Sequence, residues 1–223
     1  MNIELVIFDL GPQLIHTGPR LDATIQAAFV WTELGDSEDL DAPTRGAFAH
    51  LRAMSEVRGT SAMFAALRSA GVRIAIATGC SRATAAGVLT RLGWTGLVDA
   101  VVSAEDSEEC RPSAMLVRMA MARAGVRSPG HVAKVADTPT GLLEGYAAGC
   151  GTVIAVHPGD ADDEHDLLLY PHTHRVATAS LVPELLRRVT RGASRAAPPP
   201  TQLTAAREGR AERSAKTTTD AGS

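Results

Sequence analysis

Met1-Asn-Ile-Glu-Leu-Val-Ile-Phe-Asp-Leu-Gly11, followed by Pro12, decides the fold. Apolar residues Ile3, Leu5, Val6, Ile7 and Phe8 run up to a single carboxylate, Asp9, and Gly11-Pro12 stop the run. An apolar segment of this length, bounded by turn residues, predicts a strand buried on both faces. A carboxylate at the carboxyl end of such a strand stands where open α/β sheets place their chemistry.

Outward from that strand, the pattern first breaks and then becomes regular. Helical periodicity covers 21–34 and roughly 43–57, which predicts a small helical insert above the sheet's carboxyl edge over 12–58. From Gly59 a helix leads to Gly71, placed as its cap. Strands are then expected at 72–78, 97–104, 131–137 and 151–157. Helices are expected at 81–93, 112–125, 139–149 and 180–189. Strands alternating with helices mean parallel βαβ units with right-handed crossovers. The expected architecture is a three-layer α/β, Rossmann-like parallel sheet with a truncated helical cap. Its core comprises 1–11 and 59–190, and its cap 12–58.

The end of the chain differs. Residues 191–223 are nearly free of strong apolar side chains and contain Pro198-Pro199-Pro200, so a disordered tail is expected there. The 223 residues carry a formal net charge of −3, and the basic tail leaves the body more acidic still. Nothing here makes an electrostatic case for nucleic acid or an anionic membrane. Aromatic residues make up 4% of the chain, so the core must be built from Ala, Val, Leu and Ile. Cys80, Cys110 and Cys150 are widely spaced, as expected of thiols in a reducing compartment. With no signal peptide or spanning segment, the expected location is the cytoplasm.

Four predicted strands lead into polar residues at one sheet edge: Asp9, then Thr78-Gly79-Cys80-Ser81, then Glu109-Cys110-Arg111-Pro112 opening a helix, then Asp137-Thr138-Pro139. Two carboxylates can hold Mg²⁺, which takes oxygen ligands. A hydroxyl, helix N-termini and a guanidinium can hold an anionic oxygen cluster. That is the composition of a phosphoryl-transfer site with an aspartate as nucleophile. Each residue alone also has a plainer reading: Asp137 and Thr78 as turn or capping residues, Arg111 as a surface ion pair.

Taken together, VIFDLGPQLIHTG, IAIATGCSRATAAGVLTRLGW, CRPSAMLVRMAMARAGV, VAKVADTPTGLLEGYAAGCGTVIAV and YPHTHRVATASLVPELL resemble the haloacid dehalogenase superfamily. Within it they resemble the phosphonatase-like and β-phosphoglucomutase-like branch. The resemblance implies Asp9 as nucleophile, Thr78 and Arg111 as substrate-holding catalytic residues, and Asp137 as a metal-binding acid. It also implies a metal contact from the Gly11 carbonyl, Mg²⁺ as cofactor and a small anionic substrate. The oligomeric state is left open.

The departures are equally specific. The family's phosphatases carry a second aspartate where Gly11 stands, acting as general acid/base, a contribution typically worth about 10²–10⁴-fold. Gly-Thr of the first motif is replaced by Pro12-Gln13, and the second acid of the fourth motif by Gly141. A phosphonatase-type Schiff base needs a cap lysine, but the chain's two lysines are Lys134 and Lys216, neither in the insert. Two functions therefore stay open: a hydrolase with impaired or unusual proton handling, or a repurposed protein that binds a small ligand or a protein, or runs another reaction in the old pocket. Metal-free dehalogenation is a third option that nothing selects. His16 could replace the missing proton donor or be a plain loop residue. His172 and His174 resemble a metal pair but fit a segment entering a late strand. Asp160, Asp162, Asp163 and Glu164 read as a solvated helix start. Cys80 reads as a small loop residue, or as a thiol activated by a helix N-terminus.

Overall fold

The computed structural model describes residues 2–16, 54–157 and 167–192. The chain divides at Arg191 into two units, and all that follows concerns the first, apart from Gly192 at the end of the last helix. The expectations for 17–53 of the insert, for the tail beyond Gly192 and for the acidic run 160–164 lie outside the described residues.

The first stretch forms β1 (Leu5–Asp9), all five residues buried, as its unbroken apolar run requires. It is the third strand of a six-stranded parallel sheet whose other members are β4 (Arg73–Ala77), β5 (Ala100–Val102), β6 (Val132–Ala136), β7 (Thr152–Val156) and β8 (His174–Val176). The order is β5-β4-β1-β6-β7-β8. The chain winds outward from β1 in one direction through β4 and β5, then crosses back to β6 and continues to β8. Such a reversal opens a crevice at the carboxyl ends of the two strands where it occurs. Register puts Asp9 opposite Ala77 and Phe8 opposite Val135, so Thr78 and Asp137 lie just past the same edge as Asp9.

Among the described residues five helices cover the sheet: α1 (Thr60–Ser69), α2 (Arg82–Arg91), α3 (Met115–Arg123), α4 (Pro139–Ala147) and α5 (Val182–Gly192). One face packs Phe8, Ile74 and Ile76 with Phe64, Val88, Trp94, Val182 and Leu186. Leu5, Ile7, Ala75 and Ala77 pack with Leu116, Val117 and Ala120, and Ala136 and Ala155 with Leu142. Three aromatics knit the first layer. Phe8 meets Phe64 edge-on at 5.6 Å, and Phe64 meets Trp94 at 5.2 Å, geometries that favour the ring quadrupoles. The buried Trp94 indole N–H donates to Ser61 Oγ at 3.1 Å.

Three expectations are corrected. Residues 54–57, expected as the end of a helix, are not helical. Ser55–Glu56 form β3, antiparallel to β2 (Ile15–His16). Residues 14–16 and 54–57 are thus a two-stranded stem, fastened where Val57 N–H donates to the Leu14 carbonyl at 2.8 Å. The helix expected to open at Arg111-Pro112 begins at Met115, so Arg111 lies in the loop before it. The strand expected over 97–104 is also shorter, at Ala100–Val102. Asp99 stands just before it: its N–H donates to the Ile74 carbonyl at 2.7 Å, but its carboxylate, not a backbone carbonyl, accepts the Ile74 N–H at 2.8 Å and the Arg68 guanidinium at 3.0 Å.

Candidate active site

β1 ends in Asp9, a buried residue that is 7% exposed. Its Oδ1 accepts from the Lys134 ammonium, and Arg111 Nη2 lies 3.9 Å from the same oxygen. Its Oδ2 has no hydrogen-bond partner among the described residues. Asp137 follows β6. Its Oδ2 accepts the Gln13 N–H at 2.9 Å, while Oδ1 has no such partner. Burial, and then the neighbouring Asp9 charge, raise the Asp137 pKa to about 6. Gln13 Nε2 reaches the carbonyls of Asp9 at 3.2 Å and Val135 at 3.4 Å, tying the loop after β1 to both strands.

Arg111 is committed elsewhere as well. Its Nε and Nη2 donate to Glu144 Oε1 and Oε2 at 2.6 and 3.0 Å, a forked pair with a fully buried carboxylate. Glu144 comes from α4, which Thr138 starts by accepting the Gly141 N–H at 3.2 Å, with Pro139 next in line. Thr78 is buried, and its Oγ1 accepts the Cys80 N–H at 3.1 Å.

Glycines make the close packing possible. A Cβ on Gly141 would collide with Asp9 Oδ2 and Ala136 Cβ, so the aspartate occupies room that any side chain at 141 would need. A Cβ on Gly145 would lie 2.7 Å from both Cβ and Cγ of Lys134. The lysine stem therefore runs through space that Gly145 leaves empty.

The structure thus brings Asp9, Arg111, Asp137 and the Gly11 backbone to one place, with Thr78 one residue past the Asp9–Ala77 pairing. It adds Lys134, Glu144 and Gln13, which the sequence reading did not place in the site. In the sequence Lys134 bears only on the Schiff-base question, because it lies outside the insert. Its signal was a cation inside the buried run His131-Val-Ala-Lys-Val-Ala-Asp137. Such a charge demands a buried anion. Glu144 gives the same signal in an otherwise apolar helix. An activated Cys80 is set aside, because burial pushes its thiol up to about 12. His16 is exposed. His172 and His174 hydrogen-bond locally, to the Tyr170 carbonyl and Thr173 Oγ1, each at 2.8 Å.

The donors fit a small hard cation in kind. The two oxygens without partners belong to two carboxylates, and Mg²⁺ often takes one or two carboxylates and completes its shell with water or substrate oxygens. Among the described residues no group of three or more His, Cys, Asp or Glu gathers around them.

This fold and site define a parallel α/β protein with an aspartate at the carboxyl end of a central strand. The family model for haloacid dehalogenase-like hydrolases matches residues 6–156, and the chain belongs to that family. The fold is shared with solved structures of low identity. CbbY from Rhodobacter sphaeroides, in complex with phosphate, is 17% identical over 79% of this chain and 94% of its own, with a TM-score of 0.62. A HAD-superfamily hydrolase of subfamily IA from Geobacter sulfurreducens is 16% identical over 82% and 96%, with a TM-score of 0.60. A dehalogenase is 16% identical over 82% and 96%, with a TM-score of 0.63. No curated protein matches the chain. No helix among the described residues is long and apolar enough to cross a membrane.

Proposed function

We propose that this hydrolase cleaves a small phosphorylated or phosphonate metabolite through Asp9. The observation that carries this reading is the state of the Asp9 carboxylate. One oxygen rests on the Lys134 ammonium, and the other has no hydrogen-bond partner at the sheet's switch point. A nucleophile needs a free lone pair and a held position: Lys134 holds the carboxylate, and Oδ2 keeps its lone pairs unused against Gly141, so the carboxylate has only to turn toward a substrate.

For a phosphate ester, Asp9 Oδ2 bonds to phosphorus as the bond to the leaving oxygen breaks. The departing alkoxide takes its proton from water, since Gly11 offers no side chain. A water molecule then attacks phosphorus, the Oδ2–phosphorus bond breaks, and inorganic phosphate leaves with Asp9 restored. Arg111 stands beside Asp9 as a cation for the transferred oxygens, and the Thr78 hydroxyl stands as a further donor. Asp9 and Asp137 would hold Mg²⁺, which when bound neutralises charge on the substrate's oxygens, whereas the Gly11 carbonyl, implied by the resemblance as a further contact, accepts the Leu14 and Ile15 N–H groups at 2.9 and 3.1 Å.

A second reading is favoured by the lost proton donor at Gly11 and the shared commitment of Arg111 to Glu144. In it the pocket binds a small anion without turning it over. A hydrolysis assay over a panel of phosphate esters and phosphonates separates the two. Turnover by the wild type that falls at least about 10³-fold in Asp9→Asn supports the first reading. Saturable binding of a panel member with no turnover above the Asp9→Asn level replaces it with the second.

A further inference from the structure

We propose that Lys134 is a built-in cation that competes with a divalent metal for Asp9, so that this site holds Mg²⁺ far more weakly than the same carboxylates would alone. Three observations carry this. The Lys134 side chain is fully buried, and its ammonium lies directly on Asp9 Oδ1. Its stem has dedicated room, because Gly145 in the facing turn of α4 lacks the Cβ that would meet Lys134 Cβ and Cγ at 2.7 Å. Free acids are few: among the described residues Glu144 is taken up by Arg111, which leaves Asp9 and Asp137, with Gly11 and Gly141 where further carboxylates could have been carried.

The consequence is electrostatic. A divalent cation at Asp9 and Asp137 must share Asp9 with an ammonium that cannot leave, because the lysine is enclosed on all sides. Two cations of total charge +3 on two carboxylates repel within a few ångströms, at low effective dielectric. One cation of charge +1 already fixes Asp9 in position and balances it. Lys134 is a positioning residue in this account: it orients Asp9 and sets the metal affinity. The account rests on the site's geometry and on metal binding, not on turnover, so a failed hydrolysis assay leaves it standing.

The test is Mg²⁺ titration of the full chain by calorimetry, with thermal unfolding in Mg²⁺ and in EDTA as a second readout. The expected result is wild-type binding no tighter than about millimolar and a Tm that Mg²⁺ does not move. Lys134→Met, which keeps the stem and removes the charge, should bind Mg²⁺ at least about tenfold more tightly and gain thermal protection from it. Wild-type binding in the low micromolar range overturns the proposal outright, whether or not the variant folds. A folded Lys134→Met with unchanged Mg²⁺ affinity overturns it equally. Should Lys134→Met fail to fold, Lys134→Gln, which keeps a donor for Asp9 Oδ1, carries the same expectation.

Discussion

At the scale of single residues, the site is a chain of buried opposite charges: Lys134, Asp9, Arg111 and Glu144. Glu144 and Arg111 are a forked pair with side-chain exposures of 0% and 11%. Desolvation makes such a pair a poor source of net stability, but breaking one partner leaves an uncompensated charge inside. Arg111→Met and Glu144→Leu should therefore each cost about 3–5 kcal/mol, while the double variant should recover most of that loss. Denaturant unfolding of the four proteins checks this, and additive losses would show that the pair is not the coupled unit described. The sequence exposed Asp9 and Asp137, because each ends an apolar strand at a turn. It hid the partners. A forked contact across 33 positions, from Arg111 to Glu144, leaves no trace in spacing or periodicity. The plainer reading of Arg111 as an ion-pair residue was right in kind, but the pair is buried rather than on the surface.

At the scale of elements, helix starts position the chemistry. Thr138 caps α4 through the Gly141 N–H, and Ser81 caps α2 through the Thr84 N–H, each at 3.2 Å. Thr138→Ala should cost about 1 kcal/mol. It should also loosen the turn that joins Asp137 to Gly141. Both effects are read by unfolding and by amide exchange at Gly141, and unchanged exchange there would exclude the capping role. Element types were largely legible, since buried parallel strands are unbroken apolar runs and each helix is amphipathic. Their ends were less so. Asp99 and the cis Arg111-Pro112 peptide lie where periodicity suggested regular structure to continue. The β2–β3 stem was missed because two strands of two residues each are too short for a period to register.

At the scale of the whole molecule, two acids set opposite pH trends. Asp137 keeps its proton in the fold up to about 6, against 3.8 as its ordinary value. The folded state therefore binds more protons than the unfolded one between those values. Stability contributed by this residue falls as pH rises through that window. Asp106 behaves in reverse. The Arg123 guanidinium first of all, with the Ser103 and Arg82 contacts, holds its carboxyl well below the usual range. Its contribution is present above the ordinary value and disappears on acidification below it. In metal-free buffer, Asp137→Asn should flatten the decline between about pH 4 and 6 and leave the acid limb intact. Unfolding free energies across that range check the slope, and an unchanged slope would remove Asp137 as its source.

Gly145 and Lys134 also constrain how this sequence can have arisen. A methyl group at 145 and a long stem at 134 cannot share one volume, so the two positions are not free to vary independently. The conflict begins at the first carbon of residue 134, so bulk at 145 would press on any side chain carried there and not on lysine alone. Whatever stands on this strand is thus fitted against a bare helix backbone, and Gly145→Ala should disturb the nucleophile's seat without touching it.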